Sequence, residues 1–280
     1  LVRADFTGAP FDRVILAKAD LRGAILPRSM VRTVFEQAIF REPALAGSDL
    51  LGADLDGMNL SGLDLRGVNL SKSSLRNADL RNADLRGANL EAAYLGGADL
   101  TGADLTGAKM EFCVLAGAKL PGAKLAGKDL RLVILMDADL GGADLTGATL
   151  ELSVLLRTNL RGATLTRAVF KQTTMAGAVL DEATLDKTTF MGVDLSGVNL
   201  RGRRFRGLSM VRCSFAGCDL SGMDLGGCDF KSANFTGADL RKASFEGSIL
   251  RLANFKEARL ELADLGGVDA KGAFFGEAAL

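Results

Sequence analysis

The chain of 280 residues contains no histidine and no tryptophan, and a single tyrosine, Tyr94. Without an imidazole, chemistry that uses histidine as base, acid or metal ligand is excluded. Net charge is missing too, because 34 basic residues balance 34 acidic ones. That balance argues against a protein that grips nucleic acid by neutralising its phosphates, and against a strongly acidic mimic of nucleic acid. Proline is scarce, at 4 against 34 glycines, which excludes collagen and Pro-rich disordered chains. Apolar runs such as 132–136 are too short to cross a bilayer. No signal-peptide pattern is visible. The sequence starts on Leu1 rather than Met, and we expect it to be a fragment of a longer protein.

What is present is a repeat of five. From Met30 to Leu280 every fifth residue is a centre, and 50 of the 51 centres are Leu, Phe or Met. The exception is Ala270, and no insertion interrupts the register. Two residues before the centre stands Ala in 26 cases, and two residues after it Gly in 27, so both flanks belong to the motif. The unit reads Ala-Asp/Asn-Leu-x-Gly, as in Ala98-Asp99-Leu100-Thr101-Gly102.

A period of five fits neither a helix nor a continuous strand. Glycine at every fifth residue would also cost a helix about 1 kcal/mol each time. The small residue and the centre are two apart, so an extended segment points both to one side. The Gly-rich residues that follow then turn the chain. The pattern predicts a coil of short extended segments and tight turns, with Ala and Leu inward. Stacked coils would pair their backbones at about 4.8 Å.

The first residues repeat in another register: Leu1, Phe6, Phe11, Leu16, Leu21 and Leu26. The next centre is Met30, four residues on, which places a register break at 27–30. Pro27 lacks an amide donor, so a local break in the ladder is expected there. One elongated domain is therefore expected in three parts: 1–26 in an offset register, 27–45 with the break and atypical repeats, and 46–280 continuous. The spacing of Val31, Val34, Phe35, Ala38 and Ile39 also fits a helix, and the repeat fits the same residues equally well.

Cys113, Cys213, Cys218 and Cys228 all occupy the small inward position and read as core filler. They have no neighbouring His and no convergent spacing, so no metal site is expected. A reduced, intracellular setting fits this usage. Lys128 and Arg203 also fall on inward positions, where local bulging or snorkelling of the charged head is expected.

This sequence closely resembles the pentapeptide repeat family, and the resemblance spans essentially the whole chain. It implies an all-β, right-handed quadrilateral β-helix with four pentapeptides per coil, hence about 14 coils from 280 residues, which is 14 × 20. It also implies settings such as secreted effectors and parts attached to secretion machinery. Some family members imitate DNA and protect gyrase from quinolones.

Twenty residues per coil allow four faces to be read. Over residues 28–280 the most basic face carries +11/−7 and the most acidic +3/−7, so no face exceeds a net charge of four. The aspartate column Asp79, Asp99, Asp139 is interrupted by Lys119, which dilutes any anionic stripe. The sharper signal is apolar. Outward positions at one corner turn hydrophobic on consecutive coils: Phe112 and Val114; Leu132, Ile134 and Met136; Leu152, Val154 and Leu156, with Tyr94 one coil earlier. Contiguous exposed apolar patches mark interaction sites. A second group, Leu252, Leu262, Phe274, Phe275 and Leu280, lies at the C-terminal end, where a homodimer contact or a cap from a longer chain is expected. The dense basic cluster Arg201, Arg203, Arg204 and Arg206 is either a solvated face or a contact for an acidic partner.

No catalytic constellation and no cofactor motif is found. The expected function is a non-enzymatic rigid scaffold in a bacterial protein, cytoplasmic or secreted as an effector. It would dock a protein partner, or a missing segment of its own chain, through the apolar corner. Direct nucleic-acid binding and a membrane span are not expected. The alternative is a DNA-mimicking modulator of gyrase.

Overall fold

The computed structural model describes residues 1–39 and 45–280. Its regularity follows from how each repeat satisfies its backbone. Take Leu80 to Asp84. The Leu80 amide donates to the Asp99 carbonyl at 2.8 Å and the Asn82 amide to the Thr101 carbonyl at 2.9 Å, both one coil on. The Ala83 amide donates to the Leu80 carbonyl at 3.1 Å, closing a turn. The Asp84 amide donates to the Leu63 carbonyl at 3.0 Å, one coil back. Only the Arg81 amide lacks a backbone acceptor, and it donates to Asp79 Oδ1 at 3.1 Å. Every donor of the unit is thus satisfied. The preference for Asp or Asn before each centre is explained by this local side-chain bond.

The turns require a positive φ two residues after the centre, as at Gly102 (φ 72°). That is the third residue of a four-residue turn closed by a carbonyl-to-amide bond, the arrangement of a type II turn. Glycine adopts it without a Cβ penalty.

The chain is all-β, with no helix among the described residues. Parallel bridges join residues 20 apart, as in Asp79↔Asp99 and Ile134↔Val154. Six short strands stand out from these bridges: β1 (Phe11–Asp12), β2 (Met30–Val31), β3 (Thr149–Glu151), β4 (Val169–Lys171), β5 (Thr189–Met191) and β6 (Met210–Val211). β1 pairs with β2, and β3 to β6 form one parallel sheet in sequence order. Parallel pairing at a constant offset, with a turn every five residues, is a β-helix. The centres line its interior: Leu80, Leu85, Leu90 and Leu95 have no measurable exposure. Phenylalanines stack 20 residues apart, with Phe215–Phe235, Phe235–Phe255 and Phe255–Phe275 ring centroids at 5.0, 4.9 and 4.7 Å.

Near the N-terminus the offset changes. Asp5 pairs with Ile25, 20 residues on, but Phe11 pairs with Met30, Ile15 with Val34 and Asp20 with Ile39, 19 residues on. Ser29 then pairs with Asp49, again 20 on. One coil is a residue short, and the ladder closes over it. The Asp49 amide donates to the Arg28 carbonyl and the Met30 amide to the Asp49 carbonyl, both at 2.7 Å, directly after Pro27. Residues 31–39 follow the repeat rather than a helix, with Val31 in β2 and Val34 bridged to both neighbouring coils. The remainder of the atypical 27–45 stretch, residues 40–44, lies outside the described residues.

Candidate functional site

The apolar corner assembles as neighbouring columns on consecutive coils. Tyr94, Val114, Ile134 and Val154 are joined by successive parallel bridges. Phe112, Leu132 and Leu152 form the next column, the Phe112 amide bonding to the Arg131 carbonyl and the Leu132 amide to the Glu151 carbonyl. Met136 and Leu156 stand beside them and are half-buried. Phe112, Leu132 and Leu152 are 48%, 42% and 48% exposed, and Tyr94 is 44% exposed, so the column faces solvent. The guanidinium of Arg76 lies 5.6 Å from the centre of the Tyr94 ring and flanks the patch. Arg157 Nε meets Asp137 Oδ1 at 2.7 Å along its edge.

One property of this corner emerges only from the backbone. Phe112, Leu132 and Leu152 occupy the position that glycine fills most often, with φ of 63°, 57° and 55°. A left-handed residue with a Cβ costs roughly 1–2 kcal/mol. Each of these three side chains therefore carries backbone strain and exposed apolar surface together. In the sequence these positions show only as centres 110, 130 and 150 without glycine two residues on, which by itself fixes no φ.

The C-terminal group is less unified. Leu252, Leu262, Phe274 and Leu280 are 61%, 80%, 55% and 77% exposed. Phe275 is half-buried beneath Phe255. Leu252 and Leu262 lie ten residues, or half a coil, apart, so they mark a rim rather than one patch.

The basic cluster is divided in its pairing. Arg201 pairs with Asp219, and Arg206 with Asp224 at 3.0 Å and Glu246 at 3.4 Å. Arg203 Nη1 donates to the Ala183 carbonyl at 3.3 Å. Arg204 is exposed and has no ion pair among the described residues.

The four cysteines are buried and free. Burial pushes the Cys113 and Cys213 thiols up to about 12 and Cys228 to about 11, and raises Cys218. Cys113 Sγ reaches the Leu90 carbonyl at 2.9 Å, as Ser153 and Thr173 hydroxyls reach those of Leu130 and Leu150. At these three positions a polar inward atom is satisfied by a centre carbonyl of an earlier coil, whereas Ser73 Oγ donates to the Leu70 carbonyl of its own coil at 2.6 Å and Thr33 Oγ1 has no partner among the described residues. Among the described residues, no group of three or more His, Cys, Asp or Glu side chains is placed to hold a metal ion.

Several surface aspartates are engaged within the chain. Asp64, Asp79, Asp84 and Asp239 each pair with the arginine two residues on, for example Asp239 with Arg241 at 2.6 Å. The hydrogen bonds from Arg22, Arg66 and Arg241 hold the carboxyls of Asp20, Asp64 and Asp239 down to about 2. No helix of the described residues is long and apolar enough to cross a membrane.

The family model described as pentapeptide repeats matches residues 1–26, 48–87, 83–120, 113–151 and 158–197, and a pentapeptide repeat region model matches 188–265. A trypsin-treated form of QnrB1, a plasmid-mediated fluoroquinolone resistance protein, is 21% identical over 59% of this chain and 90% of its own, with a TM-score of 0.50. HetL, a pentapeptide repeat protein involved in heterocyst differentiation regulation from the cyanobacterium Nostoc sp. strain PCC 7120, is 26% identical over 97% of this chain and 89% of its own, with a TM-score of 0.22. The likeness to QnrB1 is one of fold. No curated protein matches the chain.

Proposed function

Since the chain belongs to the pentapeptide repeat family, we propose that it is a right-handed quadrilateral β-helix of about 14 coils that works as a rigid, non-catalytic docking scaffold. The docking face is the corner of Phe112, Leu132, Ile134, Leu152 and Val154. The observation that carries this reading is the stacking, on three consecutive coils, of exposed apolar side chains at the left-handed positions of Phe112, Leu132 and Leu152. Folding alone would favour glycine there on both counts. A partner protein that covers the column recovers about 25 cal/mol for each Å² of apolar surface removed from water.

The imitation of DNA is the weaker reading. An anionic stripe needs carboxylates facing outward unpaired, whereas Asp64, Asp79, Asp84 and Asp239 are held by arginines of their own coil. A C-terminal homodimer would cover the rim around Leu252, Phe274 and Leu280 and is separable from the corner by mutation.

The test places a photo-crosslinking residue at Leu132 and compares the wild-type background with Ile134→Asp plus Leu152→Asp. A discrete crosslinked protein that is lost in the double variant, with melting unchanged, supports the docking face. The reading is overturned if the crosslinks and the oligomeric state are the same in both backgrounds. A gyrase supercoiling assay decides the weaker reading separately.

A further inference from the structure

Arg203 stands at an inward position that Ala183 holds one coil earlier. The coil that carries it is stitched to the preceding one on two faces only. There Phe190 pairs with Met210, Met191 with Val211 and Asp194 with Ser214. On the other two faces the ladder is open. One coil earlier the Leu165 and Arg167 amides donate to the Thr184 and Asp186 carbonyls at 2.9 Å, and the Thr184 amide to the Ala163 carbonyl at 3.0 Å. The equivalent donors are the amides of Leu185, Lys187 and Arg204. None of them finds a hydrogen-bond partner among the described residues. Asn199 and Arg204 are bridged in neither direction.

The cause is the size of the Arg203 side chain. A guanidinium cannot be buried unpaired among the alanines of the column. It turns outward, and its Nη1 donates to the Ala183 carbonyl at 3.3 Å, the acceptor that the Arg204 amide would otherwise use. The two coils part around it. Between them lies a cleft of about 890 Å³, with Leu185 and Leu208 on its floor and Lys187, Arg203, Arg204 and Arg206 around it. Asp224 and Glu246 already neutralise Arg206. Lys187 and Arg204 have no ion pair among the described residues, and Asp186 is the remaining carboxylate of the wall.

We propose that this cleft is an oxyanion-binding site that takes the phosphoryl group of a small phosphorylated molecule. A phosphoryl group carries close to two negative charges and three strong acceptor oxygens. It matches a site with two cations that have no ion pair, the Arg203 guanidinium in the lining and three backbone amides without acceptors. Unpaired amides beside arginine are a recurrent anion receptor. The volume suits a small ligand, and the Leu185–Leu208 floor suits its organic part. This site is on a different stretch of the rod from the apolar corner, and each stands or falls without the other.

Isothermal titration calorimetry with phenyl phosphate and with inorganic phosphate tests the proposal on the full chain. Saturable binding of phenyl phosphate is expected, with inorganic phosphate weaker. Lys187→Gln plus Arg204→Gln, both exposed, should weaken binding by about tenfold or more, since charge-assisted bonds are lost. Arg241→Gln, on a coil outside the cleft, should leave it unchanged. Arg203→Ala should let the Arg204 amide rejoin the Ala183 carbonyl, close the cleft and abolish binding, with melting temperature equal or higher. Hydrogen exchange at the Leu185, Lys187 and Arg204 amides should be fast and slow on adding phenyl phosphate. Absence of saturable binding, or equal weakening by Arg241→Gln, overturns the site. Equal affinity for the two probes overturns the role of the apolar floor.

Discussion

Lys128 Nζ donates to the Ala108 carbonyl at 2.8 Å. In an undisturbed coil that carbonyl accepts from the backbone, as the Ala88 carbonyl accepts from the Lys109 amide at 3.0 Å. The Asp129 amide makes no such bond, and Lys109 and Asp129 are not bridged. An inward cation has replaced a rung of the ladder with its own side chain, as Arg203 does at Ala183. Snorkelling to solvent is therefore incomplete at both sites, because the charged head is captured by the carbonyl that the bulge leaves unpaired.

Replacing Lys128 by Ala should consequently stabilise the fold. The inward position would regain its usual residue and the Asp129 amide its acceptor. The gain expected is about 1 kcal/mol, the scale of one recovered hydrogen bond. Urea denaturation measures it, and a loss of stability would mean that the lysine stem is needed as a plug.

Leu100 is 2% exposed in the middle of the stack. Leu100→Ala leaves a cavity that neighbouring coils cannot fill, because each is held by its own ladder. A cost of about 2–5 kcal/mol is expected in chemical denaturation. A negligible cost would show that the interior repacks.

Leu132→Gly should act in the opposite direction on stability. It relieves a φ of 57° on a residue that is 42% exposed, and the relief is expected to outweigh the partial burial that is lost. The melting midpoint should rise, by the equivalent of about 1 kcal/mol. The same substitution should weaken any partner crosslinked at Ile134. A variant that is destabilised would show that Leu132 packs on its neighbours more than it strains them.

Acid should loosen the surface pairs over a defined window. The Asp239 carboxyl is held at about 2 against an ordinary value of 3.8, chiefly by its hydrogen bonds from Arg241. A depressed carboxyl stabilises the folded state fully above the unfolded value and loses that contribution as pH falls towards the folded one. Stability should therefore decline between about pH 4 and pH 2, and Asp239→Asn plus Asp64→Asn should flatten that decline. Circular dichroism melts across this range read the effect, and an identical slope in the variant would remove these pairs as its cause.

The period of five alone determined which residues face inward and where the chain turns. Each repeat meets the same demands of burial and turn geometry, so a local pattern suffices to place Leu100 inside and Gly102 at a positive φ. The apolar corner was legible for the same reason, since outward positions at a fixed spacing stack once the coil length is known. Three features required the tertiary structure. The 19-residue pairing of Phe11 with Met30 depends on a ladder that can close over a missing residue. The strain at Phe112, Leu132 and Leu152 is visible only as backbone angles. The openings at Lys128 and Arg203, and the arginine pairs that cross coils, such as Arg201 with Asp219 and Arg206 with Asp224, depend on which donor reaches which acceptor. Those contacts are made between residues about 18 to 21 apart, or by side chains whose direction periodicity does not specify.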